Sequence, residues 1–528
     1  MKKGALSTDT ESVGSHLKAS PTERGRYPTR GIEREPGTVD GGCALGYHRT
    51  RLAQGDFVKR ALLLISFFAV GCGGGPAPTM TPTPPPVTEG APTIDVEQYT
   101  LENGLTVLLN HDDRLPVVAV EVRYLVGSSH EVEGRSGFAH LFEHLMFQGS
   151  ANYDEEYFKP LSPIGAAVNG TTSNDRTNYY ERVPREYLEL ALWLESDRME
   201  NLLPALTQEK LDNQREVVKN ERRQNYEDRP YGMFWLRAFE ALFPKGHPYD
   251  HTPIGSHADL TAASLDDVKA FFRTYYVPSN AVVTIVGDFD KETIKPLVAK
   301  YFGHLAPGKR ASKPTAEMPV LAADKHLVEY DEVKLPRVHF LWHTPALYAE
   351  GDSALDLLSS VLTEGKTSRL YKPLVYEQKV AKDVAAFQVS MAVGGFYVIR
   401  ATAAPGKTLD ELVTALEAAV QTALATPPSE DEMARIVNGW KKSFFGRVES
   451  VLGRAQILST YYHLAGRPDY LAADLARYTE LDAAAVHREA QKWLSKKRVR
   501  IDIVPTTQKP TPAGEKDAPA AAKTGETK

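Results

Sequence analysis

Cysteine is scarce in this 528-residue chain, which holds two, Cys43 and Cys72. Two cysteines cannot frame a disulfide-stapled fold or a Cys-rich zinc or iron–sulfur site, so any metal chemistry falls to histidine and carboxylate. Neither sign of charge dominates: 62 Lys+Arg stand against 68 Asp+Glu, a formal net charge of -6. That balance argues against nucleic acid as a partner, because such domains are usually basic. Glycine-rich phosphate-binding signatures are absent, and Gly73-Gly74-Gly75 lies in a Pro-rich stretch. The apolar run from Ala61 to Val70 is about half of the roughly 20 residues that a membrane-spanning helix needs. What remains is ordinary globular composition, 42% hydrophobic and 25% charged, in a chain long enough for at least two domains.

The apolar run has a different reading. Val58-Lys59-Arg60, a largely apolar run of ten residues and Gly71-Cys72 make a secretory signal with small residues before a cysteine. Ala69-Val70-Gly71-Cys72 resembles the lipobox of bacterial lipoproteins, in which the signal is cut before the cysteine and the cysteine carries lipid. The expectation is a signal peptide over 58–71, lipid on Cys72 and an envelope protein tethered by the Pro/Thr/Gly-rich segment 72–93. Residues 1–57 carry no sustained apolar period and read as an extension ahead of a true start at Val58, which leaves 528 − 71 = 457 mature residues. Residues 507–528, mostly Pro, Ala, Lys, Thr and Glu, read as a disordered tail.

Between tether and tail the chain echoes itself. Alternation from Thr93 to Asn110, with a turn at Asn103-Gly104, predicts a hairpin, and Pro116 to Val126 a strand. Helices follow over 137–147, 187–203, 208–226 and 265–276, then a strand at Ala281–Gly287. Weaker counterparts are the strand at Pro336–Trp342, the helix at Ser353–Thr363, and a helix and strand over 486–504. The expectation is an α+β protein of two similar domains, 94–305 and 325–506, joined by a linker over 306–324.

The chemistry-bearing motif is His140-Leu141-Phe142-Glu143-His144. Residues four apart share a helix face, so His140 and His144 can reach one ion, and Glu143 projects close enough to take a proton from water. This is the inverted form of the metallopeptidase zinc motif. Two imidazoles and a carboxylate suit one zinc ion per chain and leave a fourth position for water. His247-Pro248-Tyr249 and His251 lie close together, but Pro248 interrupts a helix and argues against a second metal site. His339, His343, His463 and His487 are single and read as surface or packing residues.

The runs GFAHLFEHLMFQGS at 137–150, VNGTTSNDRTNYYERVP at 168–184, LELALWLESDRM at 188–199 and NQREVVKNERRQNYEDRPYG at 213–232 resemble the inverzincin metallopeptidases. This is the family of insulin-degrading enzyme, pitrilysin and mitochondrial processing peptidase, and the likeness is greatest to its short bacterial members. The resemblance implies two homologous α/β-sandwich domains, each an antiparallel-rich sheet packed with helices. It implies Glu221, 77 residues after His144, as the third zinc ligand, with Glu216 structural. A further family carboxylate is replaced here by Gln214. Asn169 and Gly170 match the edge strand that binds extended peptide by backbone pairing, although the turn signal of Asn-Gly alone reads equally well as a simple turn.

The second half lacks the metal motif. Aligning Gly365 with Gly149 puts Asp356, Ser359 and Ser360 where His140, Glu143 and His144 stand. Val375 and Lys382 occupy the positions of the Arg and Tyr that contact substrate in active family members. The resemblance therefore implies a zinc endopeptidase acting on peptides or unfolded segments, with Glu143 as general base. It also implies a second chain of the same family supplying the Arg/Tyr contacts, or a homo-oligomer. Two alternatives remain: a noncatalytic scaffold or peptide-binding subunit, and a metal-binding protein without catalysis.

Overall fold

The computed structural model describes residues 92–508. The expectations for residues 1–57, for the signal at 58–71, for Cys72 and most of the tether, and for nearly all of the tail lie outside them.

Two sheets organise the chain. The first contains β1 (Glu97–Thr100), β2 (Thr106–His111), β3 (Val117–Tyr124), β4 (Ala167–Thr172), β5 (Thr177–Pro184) and β6 (Ala281–Gly287), in the order β1-β2-β6-β3-β5-β4. The second contains β7 (Lys325–Asp331), β8 (Arg337–Thr344), β9 (Ala381–Val389), β10 (Gly395–Ala403) and β11 (Val499–Pro505), in the order β7-β11-β8-β10-β9. Only β2/β6 and β7/β11 run parallel among the described strands. Removing β1 leaves the same strand order and the same directions in both sheets, so one topology is used twice. This is the α+β, antiparallel-rich architecture expected from the sequence.

β1 joins the first sheet through the hairpin read at Asn103-Gly104, where Gly104 adopts φ 86. β3 and β6 are buried along nearly their whole length, because helices cover both faces.

Four helices of the first half matter below: α1 (Phe138–Leu145), α2 (Leu188–Ala205), α3 (Gln208–Arg222) and α4 (Met233–Leu242). The halves exchange helices. α4 packs on the second sheet, with Phe234 stacked on His339 at 3.9 Å between ring centres and Phe239 edge-on to Phe396 at 5.6 Å. His343 Nε2 faces the carbonyl of Leu242 at 3.0 Å. In return, the helix Val451–Thr460 packs on the first sheet through Val451, Ala455 and Leu458. There Ser459 Oγ donates to Glu121 at 2.7 Å, and Arg454 Nε donates to Asn110 Oδ1 at 3.0 Å. His339, His343 and His463 are buried packing residues. Among the described residues no helix is long and apolar enough to cross a membrane.

Candidate metal centre

α1 is a two-sided helix. Phe138, Leu141, Phe142 and Leu145 are buried, and Phe142 lies against Phe271, Phe272 and Tyr276 at 4.6–5.8 Å between ring centres. His140 and His144 occupy the remaining face, four residues apart, with ring centres separated by 4.8 Å. α3 turns its stripe Leu211, Gln214, Val218 inward at spacings of three and four. Glu221 continues that stripe by one more step, which is why it faces α1. Its Oε2 stands 3.5 Å from His140 Nε2 and 3.3 Å from His144 Nε2. Glu216 falls off the stripe and pairs with Lys219 on the surface at 2.7 Å.

The fit of zinc to these donors can be tested on distance. Tetrahedral zinc with bonds of about 2.0–2.1 Å has ligand-to-ligand edges of about 3.3–3.5 Å. Both histidine-to-carboxylate separations match that edge, and the three ligand atoms all lie within 4.8 Å of one another. Among the described residues this is the one such cluster of histidines and acids. Burial and the neighbouring His144 push His140 down to about 4, which keeps its imidazole neutral, the form that binds metal. The hydrogen bond with His144 holds Glu221 below the usual carboxylate range, against its partial burial.

Glu143 lies next to the same face, buried under β4. Burial pushes its carboxyl up, and a hydrogen bond of 2.6 Å from Thr172 Oγ1 works against that rise, helped by the charges of His144 and Arg176. β4 is the outermost strand of its sheet, so one backbone edge has no strand partner. Asn169 and Gly170 lie within β4, which decides between strand and turn in favour of strand. The Asn169 side chain is exposed and accepts from the Gly170 N–H at 2.9 Å. Gly170 has a packing reason to be glycine: a Cβ there would stand 3.1 Å from Glu143 Cγ and from the Phe147 ring. Thr172 is a residue that motif reading missed, although it lies in the quoted strand segment; its approach to Glu143 on the helix beneath β4 is visible only in the fold.

The equivalent helix of the second half, Asp352–Thr363, is twelve residues to α1's eight. Each helix starts on a left-handed glycine, Gly137 and Gly351, both at φ 91. Counting from these glycines sets Ala354, Leu357 and Leu358, all buried, opposite His140, Glu143 and His144. This register differs from the one counted from Gly365, because the second helix is longer, but neither register supplies a ligand set. Val375 is half-buried in the π-helical turn Lys372–Glu377, and Lys382 is exposed on edge strand β9.

Comparison with known proteins gives two family matches, "Insulinase (Peptidase family M16)" over residues 106–236 and "Peptidase M16 inactive domain" over 262–439. The zinc protease PqqE of Helicobacter pylori is 30% identical over 382 residues, covering 71% of this chain and 85% of that protein. The crystal structure of a protease from Helicobacter pylori superposes with a TM-score of 0.72 at 28% identity, covering 78% of this chain and 100% of that one. The periplasmic protease PqqL from Escherichia coli shares the fold, with a TM-score of 0.66 at 17% identity over 84% of this chain and 52% of that one. The chain belongs to the insulinase family, peptidase family M16.

Proposed function

We propose that this protein is a zinc-dependent endopeptidase of the bacterial envelope, hydrolysing peptides or unfolded segments. The observation that carries the reading is the meeting of His140 and His144 with Glu221, each at a tetrahedral-edge distance from its carboxylate, with the Glu143 carboxylate beside them under an open sheet edge. His140, His144 and Glu221 would hold the metal. Zinc, when bound, supplies a Lewis acid that polarises the scissile carbonyl and acidifies water. Glu143 takes the proton from the attacking water and returns it to the leaving amine. Thr172 holds the Glu143 carboxylate through its hydroxyl. An extended peptide pairs its backbone with the free edge of β4 at Asn169 and Gly170, so affinity comes from main-chain hydrogen bonds.

A second reading has its own support: the "inactive domain" match over 262–439 and the residues Val375 and Lys382 in place of an Arg/Tyr pair. On that reading the chain works with a second chain of the same family, or with another copy of itself. PqqL of Escherichia coli is a periplasmic protease, which accords with an envelope location; a lipid anchor at Cys72 rests on the sequence around it alone.

Zinc analysis and a mixed-peptide cleavage assay on the purified protein, with Glu143→Gln as control, test the proposal. We expect about one zinc per chain in both proteins and a fall in kcat of about 100-fold or more in the variant. Turnover retained by Glu143→Gln removes its role as base. Full saturable cleavage by the chain alone removes the need for a second family member.

A further inference from the structure

The two helices that carry the proposed ligands do not hold their spacing alone. Residues 247–257, which follow α4 and end on the first residue of the helix His257–Ala262, touch the N-terminus of α1 and the C-terminus of α3.

At α1, the contact runs through Glu131. Its buried carboxylate accepts from the backbone N–H of Gly137 at 2.8 Å and of Ala139 at 2.7 Å. These are two of the free N–H groups that begin the His140/His144 helix. His251 Nε2 faces the same carboxylate at 2.8 Å, and His251 Nδ1 faces Asp250 Oδ1 at 2.6 Å. With a carboxylate on each ring nitrogen, the imidazole donates from both. Burial opposes its charge, yet Glu131 and Asp250 lift His251 to about 9. Ser256 N–H donates to Ser136 Oγ at 3.0 Å, and Gly255 lies so close that a Cβ would stand 2.4 Å from the Gly137 Cα. Only glycine permits that approach.

At α3, the contact runs through Arg222, the residue after Glu221. Arg222 donates from Nη1 to the carbonyl of Gly255 and from Nε to Glu227 Oε1 at 2.8 Å. His257 Nε2 faces the same Glu227 oxygen at 2.9 Å. Thus Gly255 meets α1 through its Cα and α3 through its carbonyl.

We propose that residues 247–257 are a brace that sets the separation of α1 and α3, with His251 and Arg222 as positioning residues for the metal centre. His251 acts through Glu131, and Arg222 through Gly255; neither touches metal or substrate. The inference rests on the metal-centre reading above. A ligand set must be held to within about 0.5 Å; loss of a group bonded directly to a ligand typically costs about 10–100-fold in metal affinity, and the lower end of that range is the expectation for a brace one contact further out.

The test measures zinc affinity by chelator competition, the visible spectrum of the cobalt-substituted protein, and thermal unfolding of the metal-free chain. The variants are His251→Leu, Glu131→Gln, their double variant, and Arg222→Met. Each single variant should weaken zinc binding by about 10-fold or more and alter the cobalt spectrum. The double variant should be no worse than the weaker-binding single one, because both changes break one linkage. Zinc affinity and cobalt spectrum equal to wild type, even with a lowered unfolding temperature, overturn the brace and leave a stability role only. If His251→Leu does not fold, His251→Gln, which keeps one donor for Glu131, should bind zinc with intermediate affinity; unchanged affinity there also overturns the proposal. A wild-type chain that binds no zinc overturns the metal-centre reading, and the brace falls with it. Zinc retained equally by wild type and variants removes the brace alone.

Discussion

α1 and the helix Asp352–Thr363 stand in the same place on two copies of one sheet topology, and both begin on a left-handed glycine. Their polar groups have opposite fates. On α1, His140 and His144 turn toward α3 with side chains 13% and 22% exposed, and their Nε2 atoms face the Glu221 carboxylate. On the second helix the two acids are satisfied from within the fold. Asp352 receives Arg477, Gln388 and Ser390, and Asp356 accepts from Tyr478 Oη at 2.7 Å. Helices over 471–494 pack against that helix, so its acids face partners within the fold and not an open metal centre. A repeated sheet therefore conserves the platform, while the helix packed outside it decides whether the platform carries chemistry.

The largest expected effect concerns how separable the two platforms are. Phe234→Ala empties a site that a first-half helix fills on the second sheet, and Leu458→Ala does the reverse. Each should cost about 2–5 kcal/mol. Because the helices are exchanged, both variants should lower one common thermal transition. Two calorimetric transitions, only one of which moves in each variant, would show that the halves fold separately.

A smaller effect distinguishes the acid of the second helix. Burial and the nearby Asp352 push Asp356 up to about 7. Between the ordinary carboxylate value and about 7 the folded chain holds a proton that the unfolded chain has released, so stability falls as pH rises through that interval. The slope is at most about 1.4 kcal/mol per pH unit. Asp356→Asn should flatten the dependence of unfolding temperature on pH between about 5 and 8 and gain on wild type at the upper end. Parallel curves for the two proteins would contradict the burial argument.

The smallest effect is expected at Gly170→Ala, whose new methyl presses on Glu143 and Phe147. About 1–2 kcal/mol of stability should be lost, with kcat falling more than KM changes. A raised KM at constant kcat would instead assign Gly170 to peptide pairing.

Parts of this architecture were legible because they are written in a few neighbouring residues. The apolar runs of β3 and β6, the turn at Gly104 and the apolar face of α1 each follow from local sequence. The resemblance to the family pointed to Glu221, but the reason it faces α1 is the stripe Leu211, Gln214, Val218 that it extends. Glu131 gave no signal, and His251 none for this role: the partners of Glu131 lie 6 to 120 residues away, across loops that carry no period. Asn169-Gly170 read equally as turn or strand until β5 supplied its pairing.

By itself the sequence determined the helical face shared by His140, Glu143 and His144, because offsets of three and four are set by the helical turn alone. It also determined the two rounds of strand and helix, because hydrophobic spacing is local. The tertiary structure alone decided how Glu221 reaches both imidazoles, which helices cross to the other sheet, and what braces the ligand-bearing pair. Those contacts join segments far apart in the chain, and their geometry comes from packing between elements, which no short stretch of residues encodes.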